Sequence, residues 1–102
     1  MKRLFISQPM NGKTNDEILE VRNKAIEIAE GTLGEKVEVI DSFFKDQSVK
    51  KNPLWYLSKS IELLSTADVA FFAKGWVYAR GCQIEHRCAT AYGIPVIEYR
   101  GE

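Results

Sequence analysis

The chain is poor in cysteine, proline and net charge, and it has no long apolar run. Its 102 residues include two cysteines, Cys82 and Cys88. Placed on one helix they lie about 9 Å apart in rise alone, too far for a disulfide, and they read as free thiols. Fourteen basic residues balance 14 acidic ones. No long-range field is left to hold a polyanionic nucleic acid or an anionic membrane, which excludes both as partners. No apolar stretch approaches the ~20 residues that span a bilayer, and only a few apolar residues follow the Lys2-Arg3 start, so a cytoplasmic protein is expected. Cys82, Glu85 and His86 have the three- and four-residue spacings of a shared helix face. No second cluster completes four ligands, so no metal site and no cofactor is expected. The length suits one domain, residues 1–102, yet is short for an α/β sheet with complete ligand walls. That shortage points to a homodimer or a higher homo-oligomer.

What is present alternates regularly. Residues 2–7 read as a strand, charged at its entry and apolar beyond, and Pro9 and Gly12 make the next segment a loop. Thr14 or Asn15 suits an N-cap, with Asp16 and Glu17 in a first turn where acids match the helix dipole. Ile18, Val21, Ala25, Ile26 and Ala29 keep helical spacing to about Glu30, and Gly31 and Gly34 bracket the exit. Arg22 shares that arc and reads as a side chain snorkelling at its edge. Residues 37–41 form a second, more polar strand, placed at a sheet edge. From 42 to 53 the pattern lapses, either into a solvated connection or into a lid. Pro53 then opens a helix that Leu54, Leu57, Ile61 and Leu64 hold on the core. Residues 69–73 read as a strand buried on both faces, 79–93 as a helix with Gly93 at its end, and 95–99 as a last strand. The order β-α-β-α-β-α-β implies parallel strands and right-handed crossovers. The expected fold is a single-domain flavodoxin-like or Rossmann-like α/β three-layer sandwich with a four-stranded parallel sheet in order 2-1-3-4.

Such a sheet reverses between its first and third strands, and ligands sit beyond the carboxyl ends of the strands at that point. Two loops meet there. The first supplies Ser7, Gln8, Pro9, Met10, Asn11 and Gly12, amide and backbone donors ahead of a helix N-terminus that suit an anion or a sugar hydroxyl. Lacking GxGxxG or a Walker pattern, it is not a dinucleotide loop. The second supplies Gly75, Trp76, Tyr78, Arg80 and Gly81. Its aromatic rings can stack a heterocycle beside a phosphate-holding guanidinium, or they can serve packing or a subunit interface. On a helical wheel Gln83, His86, Arg87 and Thr90 fall together, with Arg80 beside them. Gly81, Cys82, Ile84, Cys88, Ala89, Ala91 and Tyr92 fill the opposite arc, and Glu85 lies in its middle. An inward carboxylate must be salt-bridged, protonated or placed where a ligand arrives. Set against a sugar-sized crevice, it suggests nucleophilic or electrostatic attack at an anomeric carbon.

The blocks Gly81-Cys82-Gln83-Ile84-Glu85-His86 and Ala89-Thr90-Ala91-Tyr92-Gly93-Ile94-Pro95-Val96, with Phe5-Ile6-Ser7-Gln8-Pro9-Met10 on the first strand, resemble the nucleoside 2-deoxyribosyltransferase-like family. The likeness runs over nearly the whole chain and lies nearest a short bacterial and phage branch. It implies that Glu85 is a catalytic nucleophile taking deoxyribose from one base to another base or to water. The ligand it implies is a nucleoside or nucleotide. The family's acid before the central strand falls near Ser60, its loop acid where Tyr78, Ala79 and Arg80 stand, and its strand tyrosine at Phe5. Asp41 and Ser60 complete the candidate substrate-binding set. Two other classes stay open: a non-catalytic nucleoside- or nucleotide-binding module in the same crevice, and an interaction protein using Trp76 and Tyr78.

Overall fold

The computed structural model describes residues 1–42 and 52–100. Its elements are β1 (Lys2–Ser7), α1 (Asn15–Leu33), β2 (Val37–Val39), α2 (Pro53–Leu64), β3 (Val69–Phe72), α3 (Arg80–Ala91) and β4 (Val96–Glu98), with a short 3-10 turn at Trp76–Tyr78. The four strands form one parallel sheet in the order β2-β1-β3-β4. This is the expected flavodoxin-like or Rossmann-like α/β fold. β1 and β3 are central, paired from Leu4 with Val69 to Ser7 with Phe72.

Alternation along these central strands divides the interior in two. Leu4, Ile6, Val69 and Phe71 face α1 and pack on Ala25 and Ala29. Phe5, Ala70 and Phe72 face the other way, onto Leu64 of α2 and Ala89 of α3. Alanines at the helix contacts let the backbones approach the sheet, and the strands supply the bulk.

Local chemistry sets the element ends. Thr14 is the N-cap of α1: its hydroxyl accepts from the Glu17 amide at 3.1 Å while the Glu17 carboxylate accepts from the Thr14 amide at 2.8 Å, a capping box. The Thr14 amide, and after it the Thr14 hydroxyl, also pull the Glu17 carboxyl pKa below the ordinary range. Gly31 does not stop the helix, because its exposed position needs no side chain; the chain turns at Gly34, whose φ of 71° is left-handed. Asn52 caps α2, accepting from the Leu54 amide at 2.8 Å, and Pro53 takes the first turn.

Several expectations change. β2 is three residues long rather than five, its ladder ending near an Ile40 amide that donates to Leu4. Arg22 does not snorkel: it is buried, its guanidinium donating to the Ile40 carbonyl at 3.1 Å and the Ser42 hydroxyl at 3.4 Å where β2 ends. Burial lowers the Arg22 pKa and the nearby Asp41 carboxylate opposes that. Leu54, expected in the core, is 68% exposed, since it precedes the part of α2 that reaches the sheet. On α3, Ile84, Ala91 and Tyr92 lie outward, and the side of the helix carrying His86 turns in against Phe72 and Trp76. The segment 42–53, read as a solvated connection or a lid, falls at 43–51 outside the described residues.

Removing the α1 cap tests how far this helix relies on its local signal. Thr14→Ala should lower the unfolding free energy by about 1 kcal/mol, read as a fall in the urea midpoint at unchanged slope.

Candidate functional site

Parallel strands all present their carboxyl ends to one side, and there the β1 and β3 exits part to form a crevice. Gly75, at φ 89°, lets the chain leave β3 through a left-handed turn that a side chain would strain, and brings this loop against Pro9 of the first loop. The Ala73 amide donates to the Ser7 carbonyl at 2.9 Å, tying the two exits together. α3 then starts at Arg80, and its second turn delivers Glu85 to the floor.

Glu85 is 8% exposed. The Ser7 hydroxyl donates to its Oε1 at 2.6 Å, a buried bond joining the first strand to the third helix. Among the described residues no cation pairs with it. Burial raises the Glu85 pKa, and hydrogen bonds from Ser7 and Ser60 partly offset that. One turn earlier, Cys82 is buried in the same wall. Its thiol is pushed up to about 11 by burial, with Ser7 opposing and the Glu85 charge adding, which makes it a neutral neighbour rather than a nucleophile.

Above this carboxyl lies a cavity of about 920 Å³. Of the residues singled out from sequence, Gln8, Pro9, Met10, Asn11, Ser60, Gly75, Tyr78, Arg80, Gly81 and Glu85 line it together. The remaining four are placed elsewhere. Ser7 lies behind Glu85 and bonds to it rather than to the open space. Gly12 occupies an exposed turn. Asp41 is exposed beside Arg22. Trp76 is turned inward, its ring stacked on His86 at 4.1 Å and tilted on Phe72 at 5.6 Å, so it packs instead of offering a face to a heterocycle. His86 in turn meets the Glu98 carboxylate at 2.7 Å, which lowers the Glu98 pKa. Among the described residues, no three potential metal ligands gather.

Of the α2 wall, sequence reasoning reached only Ser60. Pro53, Tyr56, Leu57 and Ser60 all line the cavity, and their spacing of three, one and three is that of one helix face. The signal was present, but Leu57 reads as core on the same spacing. Phe5, Ile6, Ser42, Ala79 and Cys82 complete the lining, and Ser42 and Cys82 were legible only once β2 and α3 had been placed.

Gln8 carries a further polar group. It is 6% exposed, and its Nε2 donates to the Ile18 carbonyl at 3.2 Å, which fixes the amide so that Oε1 is buried without a hydrogen-bond partner among the described residues. Gln8, Pro9, Gly75 and Tyr78 also wall a second cavity, of about 590 Å³, between α1 and β3.

The comparisons with known proteins extend to the fold and no further. No protein-family model and no curated protein matches the chain. Among solved structures, a conserved protein from Enterococcus faecalis V583 is similar with a TM-score of 0.66 at 17% identity; the match covers 96% of this chain and 62% of that one. The chain thus spans less than two thirds of that protein's length. Among the described residues no helix is long and apolar enough to cross a membrane.

Two variants test the energetics of the site. Because the folded protein holds the Glu85 proton more tightly than the unfolded chain does, this carboxyl's contribution is full below about pH 4 and is lost as pH rises through its raised pKa. Glu85→Gln keeps an acceptor for Ser7 and removes the titration. Its melting temperature relative to wild type should therefore climb as pH rises from about 4, and a decline would show a missed cationic partner. Gln8→Met removes an unpaired buried acceptor, and the Ile18 carbonyl it releases lies inside α1 and keeps a helical partner. Its melting temperature should equal or exceed that of wild type.

Proposed function

We propose that the protein cleaves or transfers at the N-glycosidic bond of a deoxynucleoside, nucleoside or nucleoside monophosphate, with Glu85 as nucleophile. The observation that carries this reading is a buried carboxyl, held by hydroxyls and lacking a cation among the described residues, at the floor of a cavity where the strand order reverses. An ionised carboxylate in so dry a place interacts strongly with a cationic neighbour, and an oxocarbenium-like sugar centre is cationic. A Glu85 oxygen would bond to the anomeric carbon as the bond to the base nitrogen breaks, the electron pair leaving with the base. The resulting glycosyl ester is then open to water or to a second base. Asn11 and Arg80 supply donors along the cavity for hydroxyl or phosphate groups.

Only the ionised form attacks, so base release should rise with pH through the raised Glu85 pKa. Incubating the protein with a panel of deoxynucleosides and their monophosphates, and following free base by chromatography, is the direct test. Glu85→Gln should abolish release while preserving binding of the same compound. Release that survives in this variant overturns the reading.

One observation favours a second reading. Glu85 is the sole carboxylate among the described residues of the cavity lining, so no second acid is placed to protonate a departing base. A binding module for the same ligands fits that lining, and wild-type protein that binds a nucleoside without releasing base would select it. The proposal includes a homodimer or larger assembly, supported by Tyr78, 90% exposed at the cavity mouth. A monodisperse monomer at tens of micromolar, where contacts of ~μM affinity register, would remove that part.

A further inference from the structure

We propose that Ser7 is the positioning residue of this site: its hydroxyl fixes one oxygen of Glu85, with Ser60 serving the same carboxyl from α2, and thereby sets both the orientation and the proton affinity of the reacting group. The inference rests on the reading of Glu85 as that group.

Several serines and threonines on or just past helices satisfy themselves locally. Ser58 and Thr66 each donate to a carbonyl three residues earlier, at 2.7 Å in both cases. Ser7 does the opposite. Its one hydroxyl proton goes to a carboxyl 78 positions away, at 2.6 Å, the length of a charge-assisted O–H···O bond. Its backbone cannot drift, because Ser7 ends β1 in register with Phe72 and its carbonyl accepts from Ala73. A 2% exposed residue therefore holds a donor at a fixed point beneath Glu85.

Among the described residues no cation takes over this task. Arg80 and Cys82 from α3, Tyr56 from α2 and Tyr78 from the intervening turn are the charged or titratable side chains that share the cavity with Glu85. Arg80 forms no ion pair with it among the described residues, and the Cys82 thiol stays neutral through the working range. Desolvation thus favours the protonated form, and the two hydroxyls are what favour the anion. Losing Ser7 should raise the Glu85 midpoint further and free the carboxyl to rotate.

The test follows the Glu85 carboxyl carbon by NMR against pH in protein carrying 13C-labelled glutamate, with Glu85→Gln identifying the signal. Ser7→Ala should move the midpoint upward, and Ser60→Ala should move it in the same direction. With 2'-deoxyadenosine as probe, the acid limb of base release should shift with the midpoint, so that the rate on that limb falls roughly tenfold for each pH unit. KM should stay within about twofold of wild type, since a positioning group acts on kcat. Ser7→Cys keeps the shape with a weaker donor, and gives the same upward comparison if the alanine variant does not fold. A midpoint unmoved in the folded Ser7 variant overturns the proposal, even where turnover persists. A moved midpoint without base release in wild type leaves Ser7 in control of Glu85 and removes the glycosidic reading instead.

Discussion

The pairing of β1 with β3 is the constraint on which the structure depends. Four residue pairs, from Leu4 with Val69 to Ser7 with Phe72, join segments more than sixty positions apart. Parallel strands cannot be joined by a tight turn, so the chain between them must travel, and it does so as α1, β2 and α2. Each strand of this pair is buried on both faces, which obliges helices to cover both. The same pairing brings the exits of β1 and β3 side by side. The crevice is therefore a consequence of the register, and a slip of one residue would turn Ser7 from α3 toward α1.

Around Glu85 the fold accepts a local cost. Burial raises the pKa of this carboxyl, and the described residues answer with hydroxyls rather than with a guanidinium or ammonium. The contrast with Glu98 is direct: half-exposed, bonded to His86 and Arg100, it is held below the ordinary carboxyl range. Both carboxylates belong to the β3-α3-β4 unit, and their environments push them apart.

The fold was legible because its signals repeat. Strand after helix in strict alternation, a Thr14-to-Glu17 box, Pro53 at a first turn and a β-branched and aromatic run at β3 all agree with one topology, and agreement across levels is what makes a sequence readable. The site was legible in part, for a physical reason. Residues on loops leaving β1 and β3 converge by topology alone, so Gln8, Asn11, Gly75 and Arg80 could be placed together from order and spacing. Side chains whose direction is decided by packing could not. Trp76 was free, on sequence grounds, to face a ligand or the interior, and its stacking with His86 decides for the interior. Arg22 reads as a surface cation until the Ile40 carbonyl and Ser42 hydroxyl at the end of β2 are in place to receive it. The wheel for α3 located Glu85 correctly and His86 on the wrong side, since a wheel has no knowledge of an aromatic ring arriving from the preceding turn.

The use of neutral donors at Glu85 has a chemical logic of its own. A cation in contact would stabilise the anion, but it would also spend the field that an electron-poor centre needs, and it would repel that centre as it formed. A hydroxyl stabilises the carboxylate through a single oriented bond and carries no net charge, leaving the second oxygen its full attraction. The result is a carboxyl that ionises late and, once ionised, is poorly neutralised. On the proposed function, ground-state stability is given up for a negative charge that no cation among the described residues compensates, the arrangement expected where stability and activity compete. Cys82, close enough to feel that charge and held neutral by it and by burial, fills the wall without adding a second anion.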